Sequence, residues 1–231
     1  MHPVDCEALK FMSTCLIKTP KILFLQGGWD GHYPDQIVEK FGTALRERGC
    51  ETEVITSLER LADPEWLKTF SVISPCWTMG SLTPQESDGL RVAVHAGVGL
   101  GGLHGGMGDA FRGDLMYEWM VGGHFVGHPH VGEYTVRVSE PGDPVMQGLP
   151  KAFPYNSEQY YMLMDPAVRV LADSEYTYEG ITFSMPVVWS RMWGQGRVFY
   201  SALGHEPSEF DRYPAVFEMS LRGILWAGNA L

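Results

Sequence analysis

The sequence predicts an α/β protein, a three-layer sandwich in which helices cover both faces of a mostly parallel central sheet. Three observations carry this expectation. Short apolar runs alternate four times with segments of helical period between residues 21 and 120. Glycine-rich turns follow the first and fourth runs, and the 27 glycines suit many tight connections. The chain has 231 residues, 45% of them hydrophobic, which is enough for one large core.

The elements follow in order. Residues 21–26, KILFLQ, read as a buried parallel strand leaving the core into Gly27-Gly28. Residues 35–48 place Ile37, Phe41, Ala44 and Leu45 at helical spacing, with Gly49 as the stop. Residues 52–56 read as a second strand, 64–70 as a short helix and 71–74 as a third strand. Thr83-Pro84-Gln85-Glu86 is a helix start, with Thr at the N-cap, Pro at N1 and Glu at N3, and the helix should run to Ala96. Residues 98–103 form a fourth strand, His104-Gly105-Gly106 a sharp turn, and 109–120 a helix. The second half reads as strands at 133–138, 168–172, 185–193 and 197–202. Gly194-Gln195-Gly196 is a hairpin turn, and a closing amphipathic helix covers 214–229. Residues 1–20 read as a leader, either disordered or an over-extended start with Met12 as the true one. Residues 21–231 read as a single domain.

Charge and composition exclude some classes. A formal charge of −11 with no basic stripe argues against a nucleic-acid partner. No apolar run reaches the roughly 18 residues of a membrane span. Cys6, Cys15, Cys50 and Cys76 show no CxxC spacing, so neither a disulfide framework nor a zinc ribbon is indicated, and a reducing cytoplasm is expected. Association with further copies of the chain is left open.

In an open parallel sheet, ligands bind beyond the carboxyl ends of the strands. His32 follows the first strand, His104 the fourth and His205 the last strong one. They are expected to converge on one site with Glu158 at its edge. His104 lies in GGLHGG, the pattern of an elbow in which small neighbours let a strand turn abruptly into a helix and leave the central side chain exposed above the sheet. An imidazole there suits acid–base work or metal ligation; the competing reading is a histidine that only fills the turn. His205 is a proton shuttle, a ligand or a structural histidine, and Glu158 either pairs with a histidine, binds sugar hydroxyls or is a solvated carboxylate. His32, His104 and His205 together are a candidate divalent-metal site, zinc foremost. His124, His128 and His130 in GGHFVGHPH are a second dense cluster, but without a local carboxylate or Cys to complete a set. Cys76 reads as a buried inert thiol. Trp29, Trp77, Trp189 and Trp193 either stack on sugar rings or fill the core. The substrate-binding candidates are Trp29, His32, Trp77, Gly105, Tyr160 and Arg191.

Several stretches together resemble one family. KILFLQGGWDGHYP, VGLGGLHGGMGDAF, GGHFVGHPH, GDPVMQGLPKAFPYNSEQYY, MPVVWSRMWGQGRVFYSALGH and RGILWAGN are similar, in order, to the ThuA-like (trehalose utilisation) family, and they span nearly all of residues 21–229. The resemblance implies a flavodoxin-like fold of the class I glutamine amidotransferase type. It places the amidotransferase cysteine on His104 and its histidine on His205. The acid two residues beyond that histidine falls on Pro207. Nucleophile and acid are both absent, so glutamine hydrolysis is not expected. Ser157 departs from the family pattern, in which an acidic residue often precedes Glu158. The resemblance implies carbohydrate catabolism on trehalose or keto-sugar substrates. His104, His205 and Glu158 are then the catalytic candidates for isomerisation or cleavage. A binding or regulatory module without turnover is the alternative, which the missing triad leaves open.

Overall fold

A computed structural model describes residues 19–231 of the protein, so most of the leader expected at 1–20 lies outside the described residues. Nine strands form one sheet in the order β2-β1-β3-β4-β9-β8-β7-β5-β6. Its first half is the parallel sheet that the sequence predicts. It comprises β1 (Lys21–Gly28), β2 (Glu51–Ile55), β3 (Val72–Thr78), β4 (Gly99–Leu103) and β9 (Gly196–Ser201), all paired parallel. Ile22, Leu23, Leu25, Ile73 and Leu100 are fully buried, as a strand covered on both faces requires.

The mostly parallel sheet is only half realised. From β9 outward every pairing is antiparallel, through β8 (Ile181–Trp193), β7 (Arg169–Tyr178), β5 (Gly123–Val138) and β6 (Ala152–Met164). The expectation fails here because β5 and β6 are antiparallel partners of 16 and 13 residues, of which the sequence pattern marks only 133–138. Only two residues of β5 are buried and its register with β6 slips twice, so no clean alternation of period two marks it. The β8–β9 hairpin turns at Gly194-Gln195 as expected, with Trp193 opposite Gly196.

The helices expected at 35–48, 64–70, 83–96 and 214–229 lie where the sequence puts them. Helix α1 (Pro34–Glu47) buries Ile37, Val38, Phe41 and Leu45, and α2 (Pro64–Leu67) is the short helix expected over 64–70, ended three residues earlier. Helix α3 (Pro84–His95) has the capping box: Glu86 N–H donates to Thr83 Oγ1 at 3.3 Å and Thr83 N–H to Glu86 Oε2 at 2.7 Å. Of the helix expected over 109–120 only the second half forms, and a separate short helix precedes it. Helix α4 (His104–Gly108) starts at the elbow itself, and α5 (Leu115–Val121) is capped afresh by Asp114, which accepts from Met116 and Tyr117. Between them Ala110 bridges to Met79 and the chain turns at Gly113, φ +85°. A short helix not foreseen, α6 (Pro207–Arg212), precedes α7 (Pro214–Ala227). No helix among the described residues is long and apolar enough to cross a membrane.

Helix α7 packs against β4 closely enough that a β-carbon on Gly99 would stand 2.2 Å from the Ala227 carbonyl oxygen. Gly99→Ala is therefore expected to destabilise the protein by about 1–3 kcal/mol in urea unfolding. Gly142→Ala, where nothing lies within 4 Å, serves as the control and should change stability by less than about 0.5 kcal/mol.

Candidate active site

The parallel half of the sheet lines up the carboxyl ends of β1, β3, β4 and β9 in one row, with β3 between β1 and β4. Strand β4 pairs with β9 from Leu100↔Val198 to Leu103↔Ser201, so the residues that leave these two strands emerge together. His104 leaves β4 with φ +43°, a left-handed conformation costly for a residue with a side chain, and opens α4 at once. Two bonds hold this elbow. Tyr200 O–H donates to the His104 carbonyl at 3.0 Å, and His104 Nδ1 lies 2.8 Å from the Ala202 carbonyl oxygen. A carbonyl only accepts, so Nδ1 carries the proton and Nε2 presents a lone pair unless the ring is charged.

That Nε2 faces two other groups. It stands 3.3 Å from Glu158 Oε2 and 3.3 Å from His205 Nδ1, and His205 Nδ1 is 3.5 Å from the same Glu158 oxygen. His32 closes the group, its ring 4.8 Å from that of His104 and 5.1 Å from that of His205. One ligand atom from each of His32, His104, Glu158 and His205 lies within 4.8 Å of the others. His32 Nδ1 is 2.7 Å from Thr78 Oγ1, and Trp29 stands edge-on to its ring at 4.8 Å. Gly105 is required for this approach: a β-carbon there would meet the His32 ring at 2.3 Å.

The electrostatics follow from crowding. Burial and the neighbouring His104 and His205 push the His32 pKa down from 6.5 to about 3. Burial and His104 lower His205 as well. For Glu158, burial alone would raise the carboxyl. The hydrogen bond with His104 and the fields of His104, His205 and His128 outweigh it and hold the pKa down, to about 2.

The structure corrects the expectation of an open cleft. The His104 side chain is not exposed; the residue is 3% accessible, with Tyr160 stacked on its ring at 4.0 Å. It borders a narrow cavity of about 20 Å³ together with His32, Thr78 and Cys76. Burial pushes the Cys76 thiol up to about 12. Trp29 is 48% exposed at the rim, whereas Trp77 is committed to packing on Gly27 and Gly80, and Trp189 is core. Arg191 is engaged elsewhere, donating to the Trp119 carbonyl at 2.7 Å and to Asp165 at 2.8 Å. The dense histidine cluster disperses. His124 pairs with Glu118 and His130 meets the Glu133 carbonyl, but His128 Nε2 reaches Glu158 Oε1 at 3.5 Å. Sequence reasoning did not assign His128 to this site, because only the β5–β6 pairing brings it beside Glu158.

One further carboxylate supports the site from behind. Glu209 on α6, 2% accessible, accepts from Tyr155 O–H and Ser157 O–H, each at 2.6 Å, and from the His205 backbone N–H at 3.2 Å. It thereby fixes the loop that carries His205.

The fold and site define a mixed α/β protein whose candidate centre lies at the carboxyl ends of parallel strands and is completed by an antiparallel extension. The sequence model of the ThuA family, described as trehalose utilisation, matches residues 21–227, and the chain belongs to that family. Membership carries a carbohydrate-related role at the level of the family. No curated protein matches the sequence. Among solved structures, a ThuA-like protein from Bacteroides uniformis superposes with a TM-score of 0.73 at 19% identity, covering 91% of this chain and 92% of that one. A ThuA-like protein from Parabacteroides merdae gives 0.71 at 16% identity, covering 91% and 90%. A cytoplasmic protein from Salmonella typhimurium gives 0.62 at 13% identity, covering 88% and 99%. At these identities the likeness is one of fold.

Acid should destabilise this site in metal-free protein. Between pH 6.5 and 3 the unfolded chain protonates His32 while the folded chain does not, so unfolding takes up protons and stability falls as pH drops. Glu158 adds to the fall below pH 4.5, where its unfolded carboxyl protonates first. Chelator-treated protein should lose unfolding free energy from pH 7 to pH 5, with a shallower slope in His32→Asn. Equal slopes in the two proteins would disprove the assignment.

Proposed function

We propose that the protein acts on a small carbohydrate bearing a carbonyl group, isomerising or cleaving it by histidine acid–base chemistry. The observation that supports this is the convergence of His32, His104, His205 and Glu158 from four separate elements within 4.8 Å. His205, held below its ordinary pKa, is neutral near pH 7 and can take a proton from the carbon beside the carbonyl. The C–H electron pair becomes a C=C bond while the carbonyl π pair moves onto the oxygen, which takes up a proton. In an isomerisation the hydroxyl on the first carbon gives up its proton as it becomes the new carbonyl. Delivery of a proton to the neighbouring carbon completes an isomerisation; departure of a protonated substituent oxygen from the adjacent carbon completes a cleavage. His104, beside both His205 and Glu158, is placed to return the proton, and the Glu158 anion orients it. Trp29 at the rim offers a face to a sugar ring.

The donor set also fits a divalent cation, zinc foremost. With Nδ1 committed to a backbone carbonyl, His104 turns a lone pair toward a carboxylate and a second imidazole, and a ligating histidine characteristically anchors its other nitrogen in this way. Such an ion would polarise the carbonyl oxygen of the substrate. Glutamine hydrolysis has no place in this reading, because an imidazole at the elbow forms no thioester.

The test is deuterium exchange at the carbon beside the carbonyl, with a panel of keto-sugars in heavy water. Wild-type protein is expected to exchange at least one sugar, and His104→Asn to lower the rate by about 10²-fold or more while keeping its circular dichroism. An unchanged rate in the variant would remove His104 from the mechanism. Calorimetry should show one equivalent of zinc bound, weakened in His32→Ala and His205→Ala; wild type and variants binding alike would rule out this metal site. Glutamine should release no ammonia above the blank, and release abolished by Cys76→Ala would overturn the exclusion.

A further inference from the structure

Tyr160 covers the ring of His104, and its hydroxyl is left over. The residue is 4% accessible. The other buried tyrosines, Tyr117, Tyr155, Tyr176 and Tyr200, each donate to a protein oxygen, as enclosed phenols ordinarily do. The Tyr160 hydroxyl has no hydrogen-bond partner among the described residues. Nor is it sealed in. The fully enclosed side-chain atoms without partners, among the described residues, are Arg191 Nε and Trp193 Nε1. The Tyr160 hydroxyl therefore borders space that water or a ligand atom can enter.

That space adjoins the histidines. A β-carbon on Gly105 would stand 3.0 Å from the Tyr160 hydroxyl oxygen and 2.3 Å from the His32 ring, so hydroxyl and imidazole meet above the same glycine. The His32 ring is in turn 5.1 Å from that of His205. The Tyr160 ring is held from two sides, by His104 stacked at 4.0 Å and by Phe125 at 4.4 Å. A donor fixed in this way needs no reorganisation when charge develops beside it, which is the condition for electrostatic stabilisation of a transition state. A phenol also keeps its proton at neutral pH, and burial, with Tyr200 and Glu158 nearby, moves this one further from losing it.

We propose that Tyr160 is a catalytic residue whose hydroxyl donates a hydrogen bond to the carbonyl oxygen of the substrate and stabilises the negative charge that gathers there. As His205 takes the proton from carbon, the C–H pair becomes the C=C bond and the carbonyl π pair moves onto the oxygen. Tyr160 donates to that oxygen without giving up its own proton. The inference rests on the acid–base reading of the histidine cluster.

Tyr160→Phe in the full chain tests it, because the variant loses the hydroxyl and keeps the ring on His104. With the keto-sugar that wild type exchanges fastest in heavy water, kcat is expected to fall about 10²-fold while KM changes by less than about threefold, as the loss of one donor to a developing oxyanion implies. Thermal stability should be unchanged or raised, because a hydroxyl without a protein partner holds nothing together. Zinc binding measured by calorimetry should match that of wild type. Exchange lost in His104→Asn but unchanged in Tyr160→Phe would overturn the donor role and leave the acid–base reading standing. A raised KM at constant kcat, or a loss of stability or zinc binding along with the rate, would make Tyr160 a binding or packing residue and equally overturn it. Absence of exchange with every keto-sugar by folded wild-type protein would take down the acid–base reading and this role together.

Discussion

The parallel pairing of β4 with β9 is the contact on which the rest of the site depends. It runs through four residue pairs to Leu103↔Ser201, and beyond its end the two chains part into His104 on one side and the His205 loop on the other. Those histidines are 101 positions apart in the chain, yet their ring nitrogens lie 3.3 Å apart. The same strand β9 is where the sheet changes sense. On one side of it every pairing is parallel, on the other every pairing is antiparallel. A parallel sheet alone would place the histidines at a crevice without a carboxylate. The antiparallel extension returns along β6 and supplies Glu158.

The elbow stores strain for a reason visible in its bonds. A residue with φ near +43° is held only where surrounding contacts over-determine it. Here Tyr200 fixes the backbone, the Ala202 carbonyl fixes the ring and Tyr160 covers its face. The outcome is an imidazole with one orientation and one free nitrogen. Polar groups this deeply buried need partners, and the partners of His104 are the other members of the cluster. Glu209 does for the His205 loop what these groups do for the elbow, satisfying two hydroxyls and a backbone N–H from one buried carboxylate.

Glu209 also bears on the departures from the amidotransferase pattern. Pro207, where the resemblance to amidotransferases would put an acid, opens α6 instead. Ser157, where the resemblance would put an acidic residue, turns its hydroxyl to Glu209. The carboxylate that addresses the histidines is Glu158, the neighbour of Ser157 on β6.

The sequence by itself determined the parallel half of the sheet, the α1 and α3 helices and the positions of three histidines after strand ends. Strands buried on both faces are written as continuous apolar runs, and helix starts such as Thr83–Glu86 are local chemistry. It also marked Glu158, Gly105 and Tyr160, though not what each would touch. The tertiary structure decided that His128 rather than His124 or His130 reaches the cluster, that Arg191 is consumed by Asp165, and that His104 is buried rather than open. It also decided that β5 and β6 exist as a long irregular hairpin. The reason is that local pattern records which face of an element is covered, over a span of one element. It carries no record of which distant strand pairs with which, or in what register, and at a bulged, half-exposed hairpin even the facing is blurred.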